Sequence, residues 1–149
     1  MVTVPCAPEL AFDVFTRETD LWWRRGVQFR VAGRKPGTIQ FEPKQGGRLF
    51  ELYDETHVHE TGRITVWEPP SRLEFEWRGA NFAPGEVTQV TVTFVPTESG
   101  GTRVTVEHRG FAALRPDHPV RHGEPEVQFI RRLGMWWGDL LTGLRVHVS

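Results

Sequence analysis

The spacing of apolar side chains changes twice along this chain, and these changes most strongly limit its fold. From about residue 38 to residue 109, apolar and polar residues alternate, which is typical of β-strands with one buried face. Over residues 8–17, and again from residue 126 to about residue 146, apolar residues recur at helical spacing. The pattern therefore predicts an antiparallel meander flanked by helices, an α+β fold.

The order of elements follows from the same pattern. The pattern predicts a short edge strand at residues 2–4 and a first helix at residues 8–17. A second short helix follows and ends before Gly26, and Thr19 and Asp20 offer the oxygens that cap it. Residues 112–125 hold three prolines and two histidines, which indicates a loop before the long helix that begins at Glu126. The six strands between the short and the long helices are predicted at 38–42, 48–53, 60–67, 73–78, 90–94 and 104–108.

Size and charge fit one domain without a nucleic-acid partner. The chain has 149 residues, 38% of them hydrophobic, with 18 basic against 19 acidic side chains. A chain of this length buries enough surface to form a core without disulfides or a metal, so we expect residues 1–149 to be a single domain. The balanced charge argues against nucleic acid, and no apolar run is long enough for membrane insertion.

The lone cysteine and the first residues predict a cytoplasmic protein. Cys6 cannot form an internal disulfide, which favours a reducing compartment. The first ten residues lack the basic and then apolar segments of a signal peptide.

Short segments along nearly the whole chain resemble one known family in their order and spacing. They are residues 4–5, 8–12, 14–16, 22–23, 46–48, 51, 62–63, 67–73, 101–108, 137 and 140–141. The family that these segments resemble is the START-like (SRPBCC) superfamily with its helix-grip fold, and within it the homologues of the Hsp90 ATPase activator. The resemblance implies a curved antiparallel sheet of about seven strands around a long C-terminal helix, with two short helices after the first strand.

The resemblance also implies a hydrophobic cavity between the sheet and the long helix. Strand alternation and the helix stripe place apolar residues on both sides of that space, including Ile130 on the helix. For any one of them taken singly, a filled core is the favoured interpretation, since apolar interiors are the default. We expect access to the cavity near residues 112–125. The predicted pocket residues are Phe75, Trp77, Val92, Phe94, Val106, His108, Leu133, Trp137, Leu140 and Leu141.

Two polar residues are candidates for proton transfer. Alternation places His108 on the apolar face, where an imidazole serves either a ligand or the core. The alternation does not decide which face of its strand Glu51 occupies, but packing favours Phe50 and Leu52 in the interior and Glu51 in solvent. An inward Glu51 would need a partner, for which Arg48 and Arg63 are the candidates.

Metal and nucleophile chemistry have little support. His57 and His59, like His118, His122 and Asp117, lack a third convergent ligand at a recognisable spacing, so we predict no metal and no cofactor. No nucleophile elbow or phosphate-binding glycine loop is present. Cys6 has no histidine nearby, so we predict that it is a structural residue and not a nucleophile.

Three functions fit these observations. The leading one is binding of a small hydrophobic or aromatic molecule by a carrier or sensor. The second is an enzyme of the polyketide cyclase or dehydratase type, and the third a chaperone-associated protein that acts through its surface. Of Trp22 and Trp23, we expect one to be buried and the other to be partly exposed at the pocket mouth. The apolar edge that these two residues form with Leu21 is compatible with a homodimer.

Overall fold

A computed structural model describes residues 1–24, 29, 37–79, 82–114, 118–119 and 124–149. It confirms the predicted order of one strand, two short helices, six strands and one long helix. The elements are β1 (Val2–Val4), α1 (Pro8–Arg17), α2 (Thr19–Trp22), β2 (Thr38–Phe41), β3 (Arg48–Asp54), β4 (His57–Glu68), β5 (Arg72–Trp77), β6 (Thr88–Pro96), β7 (Thr102–Arg109), a 3₁₀ turn (Phe111–Ala113) and α3 (Glu126–Val148).

The seven strands form one curved antiparallel sheet in the order β1-β7-β6-β5-β4-β3-β2. Neighbours in the chain are neighbours in the sheet from β2 to β7, and β1 closes the far edge against β7. Strand β4 begins earlier than predicted, because a tight turn pairs Asp54 with His57. His57 and His59 therefore lie in this strand, which was predicted to begin only at residue 60.

Helices α1 and α2 pack on one end of the inner face. The predicted capping role of Thr19 and Asp20 was wrong, since neither side chain caps α2. The Thr19 hydroxyl donates to the Phe15 carbonyl at 2.8 Å, and the Asp20 carboxylate accepts the Ile39 amide of β2 at 3.0 Å. These bonds join the two helices to each other and to the sheet edge.

Phenylalanine rings fill the interior beneath α1. The rings of Phe12 and Phe15 lie 5.1 and 5.7 Å from that of Phe94, and Phe41 lies 5.2 Å from Phe75. We call these five residues the phenylalanine half of the core. Each is almost fully buried, as the alternation of the strands requires.

Helix α3 covers the rest of the inner face, rotated slightly from the predicted stripe. Leu140, Leu141 and Leu144 are fully buried, as predicted. Ile130 is 48% exposed, so its predicted contact with the sheet was wrong, and the neighbouring Phe129 is buried instead, against Phe111 of the 3₁₀ turn. Among the helices of the described ranges, none is long and apolar enough to cross a membrane.

The outer face of the sheet carries a network of charged and polar side chains. Glu74 accepts hydrogen bonds from Arg109 at 2.8 Å and Thr91 at 2.9 Å, and it also pairs with Arg72. The Arg109 hydrogen bond, assisted by Thr91 and by the Arg72 charge, lowers the pKa of Glu74. The carboxylate therefore stays ionised although its side chain is mostly covered.

The glycines of α3 provide a test of how closely this helix approaches α2. A Cβ at Gly143 would lie 2.7 Å from the Trp22 carbonyl oxygen, whereas one at Gly134 would meet open space. We expect Gly143→Ala to lower the free energy of unfolding by roughly 1–3 kcal/mol, because backbone must move. Gly134→Ala should raise it by up to about 1 kcal/mol through helix propensity. Urea denaturation measures both, and equal effects would contradict the close approach.

Candidate functional site

The inner face of the sheet changes from apolar to polar toward the end that lies away from α1. At this end four of the five strands from β3 to β7 present a polar side chain in the interior. We call them the polar end of the inner face: Glu51 on β3, Thr61 on β4, Thr88 on β6 and His108 on β7. Glu51, Thr61 and Thr88 are fully buried, and His108 is half-buried.

Glu51 points inward, so the prediction that it faces solvent was wrong. Residues paired across an antiparallel ladder share a face, and Glu51 pairs with the buried Ile39 while Leu49 pairs with the buried Phe41. These two apolar pairs fix the orientation of β3. The Tyr53 hydroxyl, on the same face, donates to Glu51 Oε1 at 2.9 Å.

The arginines predicted as partners of Glu51 bind other carboxylates. Arg48 contacts Glu42 at 3.0 Å, and Arg63 contacts Glu60 at 3.1 Å. The Arg48 hydrogen bonds lower the pKa of Glu42 to about 2. Glu51 is therefore held by a neutral phenol rather than by either of these cations.

Thr61 lies at an irregularity in the sheet. Leu49 pairs with Gly62 and Phe50 with Glu60, so Thr61 is the extra residue of a β-bulge in β4. Its carbonyl oxygen accepts the Arg78 amide at 2.6 Å, next to the end of β5. Within the described parts of the chain, its hydroxyl has no hydrogen-bond partner although it is fully buried.

A chain of hydrogen bonds joins α3 to the sheet through His108. The Trp137 indole N–H donates to His108 Nδ1 at 3.1 Å, and His108 Nε2 lies 2.7 Å from Thr88 Oγ1. Because an indole nitrogen only donates, Nδ1 must be the acceptor and Nε2 carries the proton. The Thr88 hydroxyl in turn donates to the Trp77 carbonyl at 3.2 Å.

These contacts define the chemical state of His108. Burial lowers its pKa to about 3, so the imidazole is neutral at physiological pH. Both ring nitrogens are occupied by Trp137 and Thr88. His108 therefore acts in this structure as a structural bridge, and proton transfer to a ligand would require one of these bonds to break.

Four tryptophans pack beside this bridge. The rings of Trp23, Trp77, Trp136 and Trp137 contact one another in all six pairings, with centroids 5.1–6.3 Å apart. We call them the tryptophan cluster. Trp22 and Trp23 are 3% and 2% exposed, so the expectation that one of them is partly exposed was wrong. Of the apolar edge proposed for a homodimer, only Leu21 is exposed.

The ten predicted pocket residues all lie on the inner face or on α3, but they do not form one group. Trp77, His108 and Trp137 meet in the tryptophan region, with Val106 and Leu133 half-buried. Phe75 and Phe94 belong to the phenylalanine half, and Val92, Leu140 and Leu141 are buried in the same continuous core. Sequence reasoning missed Thr61, Thr88 and Trp136 at this end, and only the aromatic character of Trp136 was a usable signal.

Half of the region predicted to give access lies outside the described residues, which omit 115–117 and 120–123. Its described part forms a small apolar cluster of Phe111, Leu114 and Phe129. His118 is buried nearby, with Nε2 3.0 Å from Glu86 and its ring against Phe82 at 4.7 Å.

The histidines considered as metal ligands have other contacts. His57 Nδ1 lies 2.7 Å from Asp54, and His59 Nε2 lies 3.1 Å from the Arg78 carbonyl oxygen. His122 and Asp117 fall outside the described residues. Among the side chains that are described, no three potential ligands converge. Burial raises the pKa of the Cys6 thiol, which disfavours a reactive thiolate.

The low pKa of His108 makes stability depend on pH. The folded protein keeps this imidazole neutral down to about pH 3, whereas the unfolded chain takes up a proton near pH 6.5. The neutral imidazole of His108 therefore contributes fully to the free energy of unfolding above pH 6.5. This contribution is lost as the pH falls toward 3, by up to about 1.4 kcal/mol per pH unit.

His108→Asn, which cannot titrate, tests this dependence. Its side-chain oxygen can replace Nδ1 as the acceptor for Trp137. We expect the stability advantage of the unmodified protein over this variant to shrink by about 2 kcal/mol between pH 7.5 and pH 5, measured by urea denaturation. A constant advantage would show that His108 takes up its proton as readily in the folded protein as in the unfolded chain.

Comparison with known proteins gives a family and several structural relatives. Residues 5–132 match the family described as Activator of Hsp90 ATPase homolog 1-like protein. Txn09, an anthrahydroquino-γ-pyrone synthase solved in complex with SUM, is 34% identical over 72% of this chain and 71% of its own, with a TM-score of 0.51. A search of curated protein sequences finds no match.

Two further structures cover almost the whole chain. CalC, a self-sacrificing resistance protein from Micromonospora echinospora, is 27% identical over 99% of this chain and 90% of its own, with a TM-score of 0.62. PFC0360w, an HSP90 activator from Plasmodium falciparum, is 17% identical over 97% and 89%, with a TM-score of 0.65, a likeness of fold. The match over residues 5–132 and the helix-grip architecture together show that this chain belongs to the Activator of Hsp90 ATPase homolog 1-like protein family.

Proposed function

We propose that this protein binds a small apolar or aromatic molecule between the inner face of the sheet and α3, as a carrier or sensor. The observation that carries the proposal is the polar end of the inner face, where Glu51 on β3 and Thr61 on β4 are fully buried and Trp77 ends the adjoining strand β5. A core that only stabilises the fold gains nothing from an ionisable carboxyl and an unpaired hydroxyl. Apolar and aromatic walls with a few polar groups are typical of small-molecule sites.

The relatives support an aromatic ligand. Txn09 is named as a synthase of an anthrahydroquinone-pyrone, a fused aromatic product, and it was solved as a complex. In our proposal Trp77, Val106, His108, Leu133 and Trp137 contact the ligand. Phe75, Val92, Phe94, Leu140 and Leu141 form the wall behind them.

A thermal-shift screen against fatty acids, sterols, flavonoids and aromatic acids tests the proposal. A ligand at 100 times its Kd stabilises a protein by about 2.7 kcal/mol, which is roughly 5–10 °C in Tm for a domain of this size. We expect shifts of this order from the flavonoids or aromatic acids. A screen without a shift in any class would contradict the proposed function.

A pair of half-buried tryptophans provides the matched control. Trp136 belongs to the tryptophan cluster, whereas Trp67 packs against Phe12 at 5.0 Å, beneath α1. We expect Trp136→Leu to reduce the ligand-induced shift by at least half and Trp67→Leu to preserve it. The reverse result would place binding away from the tryptophan cluster.

A second candidate function is proton-transfer catalysis on such a ligand, and the buried carboxyl of Glu51 favours it. Since both nitrogens of His108 are occupied, Glu51 with Tyr53 is the better acid–base candidate. Mass spectrometry of a stabilising ligand after incubation separates the two functions. A carrier returns the ligand unchanged, whereas an enzyme converts it and Glu51→Gln slows conversion by roughly 10²–10⁴-fold.

A further inference from the structure

The Thr61 hydroxyl is an exception among the buried polar side chains. In the part of the chain that the structure describes, it is the one buried side-chain oxygen or nitrogen without a hydrogen-bond partner. Buried hydroxyls are normally satisfied, because leaving one unpaired forfeits its hydrogen bonds to water. An unpaired hydroxyl in the interior is explained if another molecule supplies the partner.

The surroundings of Thr61 point to the chemistry of that partner. Strand β4 lies between β3, which carries Glu51, and β5, which ends at Trp77. Glu51 pairs with His59, two residues before Thr61, and the Thr61 carbonyl bonds to the residue after Trp77. A hydroxyl donor, a carboxyl acceptor and an aromatic ring therefore occur on three adjacent strands at one end of the inner face.

We propose that Thr61 and Glu51 form a subsite for a phenolic or enolic hydroxyl on a flat aromatic ligand. The ligand oxygen accepts the hydrogen bond of the Thr61 hydroxyl, and the ligand O–H donates to the Glu51 carboxylate, which Tyr53 also holds. The ring plane packs against Trp77. The inference rests on the proposed function and adds to it a preference for hydroxylated ligands.

Binding of 7-hydroxyflavone and flavone tests the subsite, because the two probes differ by one hydroxyl group. Quenching of tryptophan fluorescence gives both dissociation constants. We expect the unmodified protein to bind 7-hydroxyflavone about tenfold more tightly than flavone, with about fivefold from the hydrogen bond of the neutral Thr61 hydroxyl and the remaining factor of about two from Glu51. In Thr61→Val, which keeps the side-chain shape, this preference should fall to about twofold or less.

Two controls separate recognition from folding. Thr65 is an exposed threonine of the same strand, and Thr65→Val should keep the full preference for 7-hydroxyflavone. Because Thr61→Val removes an unpaired polar group, it should raise the Tm of the ligand-free protein by roughly 2–6 °C. A lower Tm would mean that the hydroxyl already has a partner, and it would contradict the inference.

The outcomes distinguish the subsite from the proposed function. If both flavones bind equally to the unmodified protein, or if Thr61→Val keeps the tenfold preference, the subsite is wrong and ligand binding stands. If neither flavone binds and the wider screen is also negative, the proposed function itself is wrong, and the subsite with it.

Discussion

One chain of hydrogen bonds orients α3 on the sheet, from Trp137 through His108 and Thr88 to the Trp77 carbonyl. Each donor in this series of hydrogen bonds has a single acceptor. The tautomer of His108 and the rotation of α3 about its own axis are therefore fixed together. That rotation turns Phe129 inward and Ile130 outward, and it packs Trp136 and Trp137 against Trp77 on β5. The polar bridge thus selects one arrangement of a core whose apolar contacts alone are less specific.

The same arrangement divides the interior into two chemically different parts. Beneath α1 the phenylalanine half is apolar on every side and fits a role in folding. The other end carries the buried or half-buried polar residues Glu51, Thr61, Thr88 and His108, and the last two bond to Trp77 and Trp137. Thr88 and His108 satisfy each other, and Tyr53 binds Glu51, whereas the Thr61 hydroxyl has no partner among the described residues. This difference locates the proposed ligand at the polar end of the inner face.

The sequence predicts the fold better than it predicts the site, and the reason is physical. Alternation in β5, β6 and β7 is strict, so their inward residues and the order of strands follow directly. In β3 the run Leu49-Phe50-Glu51-Leu52 has apolar residues on both faces, and only pairing with Ile39 and Phe41 shows that Glu51 is inside. The bulge at Thr61 depends on register between strands, which no local pattern encodes. His108 was recognisable from alternation, but its bond to Trp137 joins residues 29 positions apart.

The central claim is that a small aromatic molecule lies against the polar end of the inner face, and intermolecular nuclear Overhauser effects test it most directly. The protein would be ¹³C-labelled and saturated with a flavonoid from the stabilising set. The account predicts contacts from ligand ring protons to the Thr61 methyl group and to the rings of Trp77 and Trp136. Contacts confined to the surface groove between α1 and Trp67, where Glu9 and Pro70 also lie, would contradict it.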